Sequence, residues 1–381
     1  SVAIIVQPFA ESIFSLLGSF DLGKFIKFLW LFIAIGAGSF VFHLEKAANN
    51  ATEQDTTPFG RIRKYAPTLA ILVIFACSLD PKYKMMKDWI SQGSYVHAFE
   101  SPVLRNLAQE IKRETIPVRV STFQIYPNLL HPYGIETVGG YQALHLKRFN
   151  EYWSAVTEPS ASNIAGDRLM LNPAIQKPEW DLSSEFNVNL LSLANMKYIV
   201  SRDRLKAPNL KPVREIANPW HSLTTTEKIK TNFVENFTGR TSLFVYENTD
   251  VFPRFFLAKS VRGFASAASV LNALKTANIN DLEQTVFLEK QHLSSDLAEK
   301  SLLGRGKITL RQYAPDELKL DVEITANALM VVTNGYSPYW SAEIDGQPAR
   351  IFPVYHTFWG IHLPGSAKEI IFKYKVPWDW N

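Results

Sequence analysis

Two short stretches of this sequence bring together side chains that could do chemistry. The first, GGYQALHLKRFNEYW from Gly139 to Trp153, holds Tyr141, His145, Lys147, Arg148, Tyr152 and Trp153. Aromatic faces beside hydrogen-bonding groups suit sugar rings, whose C–H faces stack on aromatics. Cations in the same place suit a lipid-linked phosphate. The second, NGYSPYWSAEIDGQ from Asn334 to Gln347, holds Tyr336, Tyr339 and Trp340. The candidate substrate-binding residues are therefore Tyr141, His145, Arg148, Trp153, Tyr336 and Trp340. Each stretch also reads as plain structure: an amphipathic helix with an aromatic core face, and a sandwich core ending in a hairpin. Neither contains the paired carboxylates of glycoside hydrolysis, so no catalytic residue is assigned.

Other chemistries leave no trace. No P-loop, dinucleotide-binding glycine motif, zinc-protease HExxH or nucleophile elbow occurs. The eight histidines show no close metal-ligand spacing, so no metal site is expected and no cofactor is evident. Forty basic against 36 acidic residues leave a net charge of +4. That is too little for a surface that tracks nucleic-acid phosphates, so no nucleic-acid partner is expected. A single cysteine, Cys77, excludes an internal disulfide.

The elements that must position these residues are set by hydropathy. The chain has 381 residues, 46% hydrophobic and 20% charged, with a mean hydropathy of −0.06. This is a globular composition and a length for two or three units. Phe28–Phe42 and Tyr65–Leu79 run without a charge, preceded by Lys24 and Lys27 and by Arg61, Arg63 and Lys64. Neither run shows the polar face of a surface helix, so both are expected to span a membrane, over 28–44 and 65–79. The basic residues of the intervening loop place that loop in the cytoplasm and the chain beyond Leu79 outside. With no initiator methionine and no cleavable leader pattern, the chain is expected to begin inside a longer protein.

From residue 96 the pattern is that of a water-soluble unit. Ser101-Pro102 opens a helix, Val118–Ser121 and Lys197–Val200 alternate as strands, and Phe252–Ala258 reads as another. Residues 201–240, polar and rich in Lys, Asn and Thr, read as loop or edge structure. Val270–Ala277 marks a helix. After Gly306 there are strands alone, including the uninterrupted apolar run Ala328–Val332 and the Asp345-Gly346 turn. The expected fold class is α+β: two transmembrane helices (1–95), an extracytoplasmic α/β region (96–300) and a C-terminal antiparallel β-sandwich (301–381).

Four stretches in order resemble the C-terminal part of the YfhO-like bacterial membrane proteins. They are Gly139–Trp153, Leu190–Leu205, Phe252–Val261 with the helix after it, and Asn334–Tyr374. In the last, Tyr336, Pro338, Trp340, Asp345-Gly346, Gly360, Pro364-Gly365 and Tyr374 match the family's pattern, while Tyr339 stands where glycine is common. The resemblance implies an integral membrane glycosyltransferase similar to the GT-C class, in the bacterial cytoplasmic membrane. Its partners would be membrane lipid, a polyprenyl-phosphate-linked sugar and a cell-envelope glycan acceptor. The catalytic acid of that class lies in an early outer loop, and no position here is matched to it. The other reading is a non-enzymatic, membrane-anchored glycan-binding or assembly module.

Overall fold

The computed structural model describes residues 99–141, 145–158, 168–173, 177–238, 240–293 and 306–375. The chain divides into two compact units, Ser1–Gln92 and Gly93–Asn381, and every described residue belongs to the second.

The expectation of two transmembrane helices is corrected. The segments 28–44 and 65–79 lie outside the described residues, and among the described residues no helix is long and apolar enough to cross a membrane. The longest, Thr225–Thr238, has 14 residues, against the ~20 that a span requires. The helices here are short because most of them cover sheets rather than a bilayer. The architecture is mixed helix and sheet with a β-rich C-terminal region.

Three sheets carry the fold. In the first, Arg119–Phe123 pairs parallel with Met196–Ser201. Phe244–Asn248 and then Leu210–Arg214 extend it antiparallel. The Pro102–Ile111 helix covers one face. Ser101 caps it by accepting from the Leu104 N–H, and proline at the first position needs no partner for a missing N–H. Val103, Leu104, Leu107 and Ala108 pack on Val120, Tyr198, Val200 and Val245.

The second sheet runs Val261–Phe264, Val286–Glu289, Ile351–Val354, Phe358–Leu363, Ala328–Gly335, Phe255–Leu257. Its first pair is parallel, joined through the helix Ala267–Thr276 as a parallel crossover requires. The remaining pairs are antiparallel. The sheet therefore takes strands from both sides of residue 300. The third sheet, antiparallel throughout, stacks Gly306–Tyr313, Glu317–Ile324, Glu369–Tyr374, Trp340–Ile344 and Gln347–Ala349.

The second sheet is the middle layer, and this explains the apolar run at its centre. Ala328, Met330 and Val332 face the third sheet, while Leu329 and Val331 face the α/β side. A strand buried on both faces has no polar side to alternate with. Leu318, Leu320 and Val322 of the outer sheet, by contrast, bury one face only. At the hairpin between the last two strands of the third sheet, Asp345 and Gly346 take φ of 49° and 77°. This is the left-handed pair that a two-residue turn demands.

Residues 201–240, expected as loop or edge structure, contain the edge strand Leu210–Arg214 and also a helix, Thr225–Thr238, that was not expected. A capping box starts the helix: the Thr224 N–H donates to Glu227 Oε2 at 2.8 Å, and the Glu227 N–H donates back to Thr224 Oγ1 at 3.4 Å. Thr224→Ala should cost about 1 kcal/mol, read as a lower denaturant midpoint.

Candidate functional site

The two aromatic stretches meet at one cleft of about 310 Å³. The 3₁₀ segment Pro127–Tyr133 supplies Asn128 and His131. Gly139 and Gly140 line it where Gly140–Tyr141 pairs with Arg168–Leu169. The entry to the Lys147–Thr157 helix brings His145, Leu146 and Phe149, and the Ala328–Gly335 strand ends in the cleft at Gly335. Arg119, from the first sheet, reaches it from within.

Gly139 is there because the chain passes hard against its neighbour. A Cβ at that position would lie 2.0 Å from the Leu169 carbonyl oxygen and 3.3 Å from the Trp153 ring. Gly335 is held by Trp359, whose Nε1–H donates to its carbonyl at 2.9 Å. Phe149 forms an apolar wall, stacked at 6.2 and 6.5 Å on Tyr152 and Trp153 behind it. His145 buries both ring nitrogens without a hydrogen-bond partner among the described residues. His131 faces Thr137 Oγ1 at 3.4 Å. Among the described residues no carboxylate lines this cleft.

Beneath it lies a charged group that sequence reasoning missed. Arg119 donates to the carbonyls of Ala194 and Thr333 and to Asn334 Oδ1, tying the first sheet to the second. Its Nε lies 3.9 Å from Glu136. Glu136 also accepts from Arg254 at 2.9 Å, and Arg254, 2% exposed, donates to the Tyr313 hydroxyl. Two guanidiniums thus share one carboxylate. Burial, and then Arg254, pull the Arg119 guanidinium down to about 9. Burial alone would push the Glu136 carboxyl up, but Arg254 and Arg119 hold it below its ordinary range. Burial pushes the Tyr313 hydroxyl up to about 12. Nε and Nη1 of Arg254 find no acceptor among the described residues. An arginine interrupting an apolar strand, as Arg119 does between Val118 and Val120, was the signal available in the sequence.

Of the six residues singled out from sequence, His145 lines the cleft. Tyr141 is placed beside it by its backbone pairing with Arg168. Arg148 points elsewhere: it pairs with Glu289 at 2.9 Å and donates to the His356 carbonyl at 3.1 Å. Trp153 is buried in the main core. Tyr336 and Trp340 pack against the sandwich core, Trp340 with Trp359 and Tyr374 at 4.7 and 5.4 Å. The structure brings the two stretches together through Gly335, Leu146 and Phe149 rather than through their most conspicuous side chains.

A larger cleft, about 500 Å³, includes Asp181, Arg204, Lys206 and Glu215. Two of its charges already have partners within the fold: Lys206 pairs with Glu179, and Asp181 caps the Ser183 N–H. Among the described residues no group of His, Cys, Asp and Glu is arranged to hold a metal ion.

No protein-family model matches the chain, and no curated protein matches it. The YfhO-like resemblance therefore stands on the residues quoted for it alone. Among solved structures, a short stretch is similar to the arabinofuranosyltransferase AftD from Mycobacteria, at 15% identity and a TM-score of 0.17. The similarity covers 22% of this chain and 6% of that one, too little of either to define a shared fold.

Proposed function

We propose that this chain is the glycan-binding part of a cell-envelope glycosyltransferase that uses a polyprenyl-phosphate-linked sugar. The cleft at Gly139, His145, Phe149 and Gly335 would hold the acceptor. One observation carries this reading: both aromatic-rich stretches converge on a cleft that pairs an apolar ring wall with nitrogen donors. Sugars are bound by that combination of a ring face and directed hydrogen bonds. Transfer itself would need a base to deprotonate the acceptor hydroxyl. No side chain of this cleft is assigned that task. The same observation favours the second reading, a glycan-binding or assembly module without transfer activity of its own.

Binding separates these proposals from the alternatives. In titrations of the full chain against envelope oligosaccharides, saturable binding should appear. His131→Ala, which removes an exposed ring at the cleft, should weaken it about ten-fold, the worth of one good hydrogen bond. If no oligosaccharide binds, both readings fall. If one binds, incorporation of label from a polyprenyl-phosphate sugar then distinguishes a transferase from a module.

A further inference from the structure

The Thr225–Thr238 helix is mounted with its polar face inward. Asn232 and Glu235 are buried, and Glu235 is held by Arg202 at 2.9 Å and by the Ser242 N–H at 2.7 Å. Its apolar residues face out: Ile229, Phe233 and Phe237, at spacings of i, i+4 and i+8, are 58%, 63% and 68% exposed, with Val234 beside them. The Phe233 and Phe237 rings touch each other at 4.6 Å between centroids. A solvated helix normally shows the reverse arrangement, so this stripe is built to be covered.

The charges beside it indicate by what. Lys230 lies on the outward face between Phe233 and Val234 by helical angle, and exposed Arg240 comes just after the helix end. Glu227 stands at one edge of this face, beside Val234 by helical angle, and accepts from the Thr224 hydroxyl and N–H, which leaves its negative charge in place. The buried carboxylate Glu235 is paired inside. The outward face is therefore aromatic and aliphatic, with Lys230 within it, Arg240 just past its end and Glu227 at one edge, an excess of one positive charge. It is a convex ridge rather than a groove. We infer that this helix is a docking surface for an anionic lipid bilayer, lying in the interface plane with Ile229, Phe233 and Phe237 in the acyl boundary and Lys230 and Arg240 at the headgroups. This inference is independent of the cleft.

A label on the helix tests it without interference from whatever else in the full chain meets lipid. An environment-sensitive fluorophore is attached through Thr226→Cys in a Cys77→Ser background, Thr226 being exposed on the same outward face. With vesicles of phosphatidylcholine and phosphatidylglycerol the label should shift to the blue and be quenched by brominated lipid. A control label through Lys307→Cys, exposed on the outer sheet, should not respond. Phe233→Ser with Phe237→Ser should reduce the response about ten-fold. Lys230→Glu, which disturbs no packing, should weaken it only on vesicles containing phosphatidylglycerol. If the label stays as accessible to iodide with vesicles as without, the inference is overturned. It is equally overturned if the label shifts with protein concentration in the absence of lipid, since the stripe would then be covered by a second copy.

Discussion

Glu136→Gln should lower stability by about 2 kcal/mol, whereas Arg254→Met should lie within about 1 kcal/mol of the natural protein. The asymmetry comes from counting charge. Arg119 and Arg254 are both largely buried and share Glu136. Neutralising the carboxylate leaves two guanidiniums facing each other with no counter-charge. For a fully buried pair such a loss costs about 3–5 kcal/mol; Glu136 is 38% exposed, and water reduces the figure. Removing Arg254 instead leaves one cation and one anion. It also removes Nε and Nη1, two buried donors that have no acceptor among the described residues, and methionine refills most of the volume. Denaturant midpoints of the two variants of the full chain give the order directly. A Glu136→Gln variant as stable as the natural protein would mean that the carboxylate does not balance the pair.

Acid should reproduce the same effect in the natural protein. The Glu136 carboxyl is held below its ordinary value in the folded state. Its contribution is therefore complete above the ordinary carboxylate range and is lost as pH falls through the depressed folded value. The midpoints of the natural protein and Glu136→Gln should accordingly converge on acidification.

Where chemistry and periodicity agreed, the fold was legible in advance. Ser101-Pro102 opens a helix, Asp345-Gly346 turns a hairpin, and Ala328–Val332 is a strand buried on both faces. Three things were not. An uncharged run states that a segment avoids water, but says nothing about whether lipid or protein covers it, and the expected spans rested on such runs and the basic residues beside them. The 201–240 region hid a helix because its composition is that of a loop and its apolar residues face outward; only the Thr224–Glu227 box announced it. The cleft was half legible. The glycines and His145 lie in stretches chosen for their aromatics, yet Trp153, Tyr336 and Trp340 are drawn into cores, because a large ring gains more from burial than from display. Arg148 is drawn away in turn by Glu289. Arg119 and Glu136 are joined to Arg254 only by tertiary folding, and no local spacing encodes that.

Gly139→Ala and Gly335→Ala together ask whether the cleft is what the two stretches are for. At Gly139 the added methyl would meet a backbone carbonyl at 2.0 Å. A backbone oxygen cannot swing aside, so the Gly140–Leu169 pairing must open. The buried Trp153 ring blocks the other exit. The cost should approach 3 kcal/mol, the upper range for overpacking, and the Pro127–Tyr133 side of the cleft should lose its register with the Lys147–Thr157 helix. At Gly335 the methyl would meet Leu146 Cδ1 at 3.0 Å, the tip of a flexible and exposed side chain, and Phe149 Cδ2 at an ordinary 3.8 Å. Its stability cost should stay within about 0.5 kcal/mol, while the methyl still narrows the space beside Phe149. Thermal or denaturant midpoints should separate the two glycines, and oligosaccharide titration should then weaken for both. A Gly335→Ala protein that is stable and binds oligosaccharide as the natural chain does would place the ligand elsewhere, and the larger cleft at Asp181, Arg204 and Glu215 would become the one to mutate.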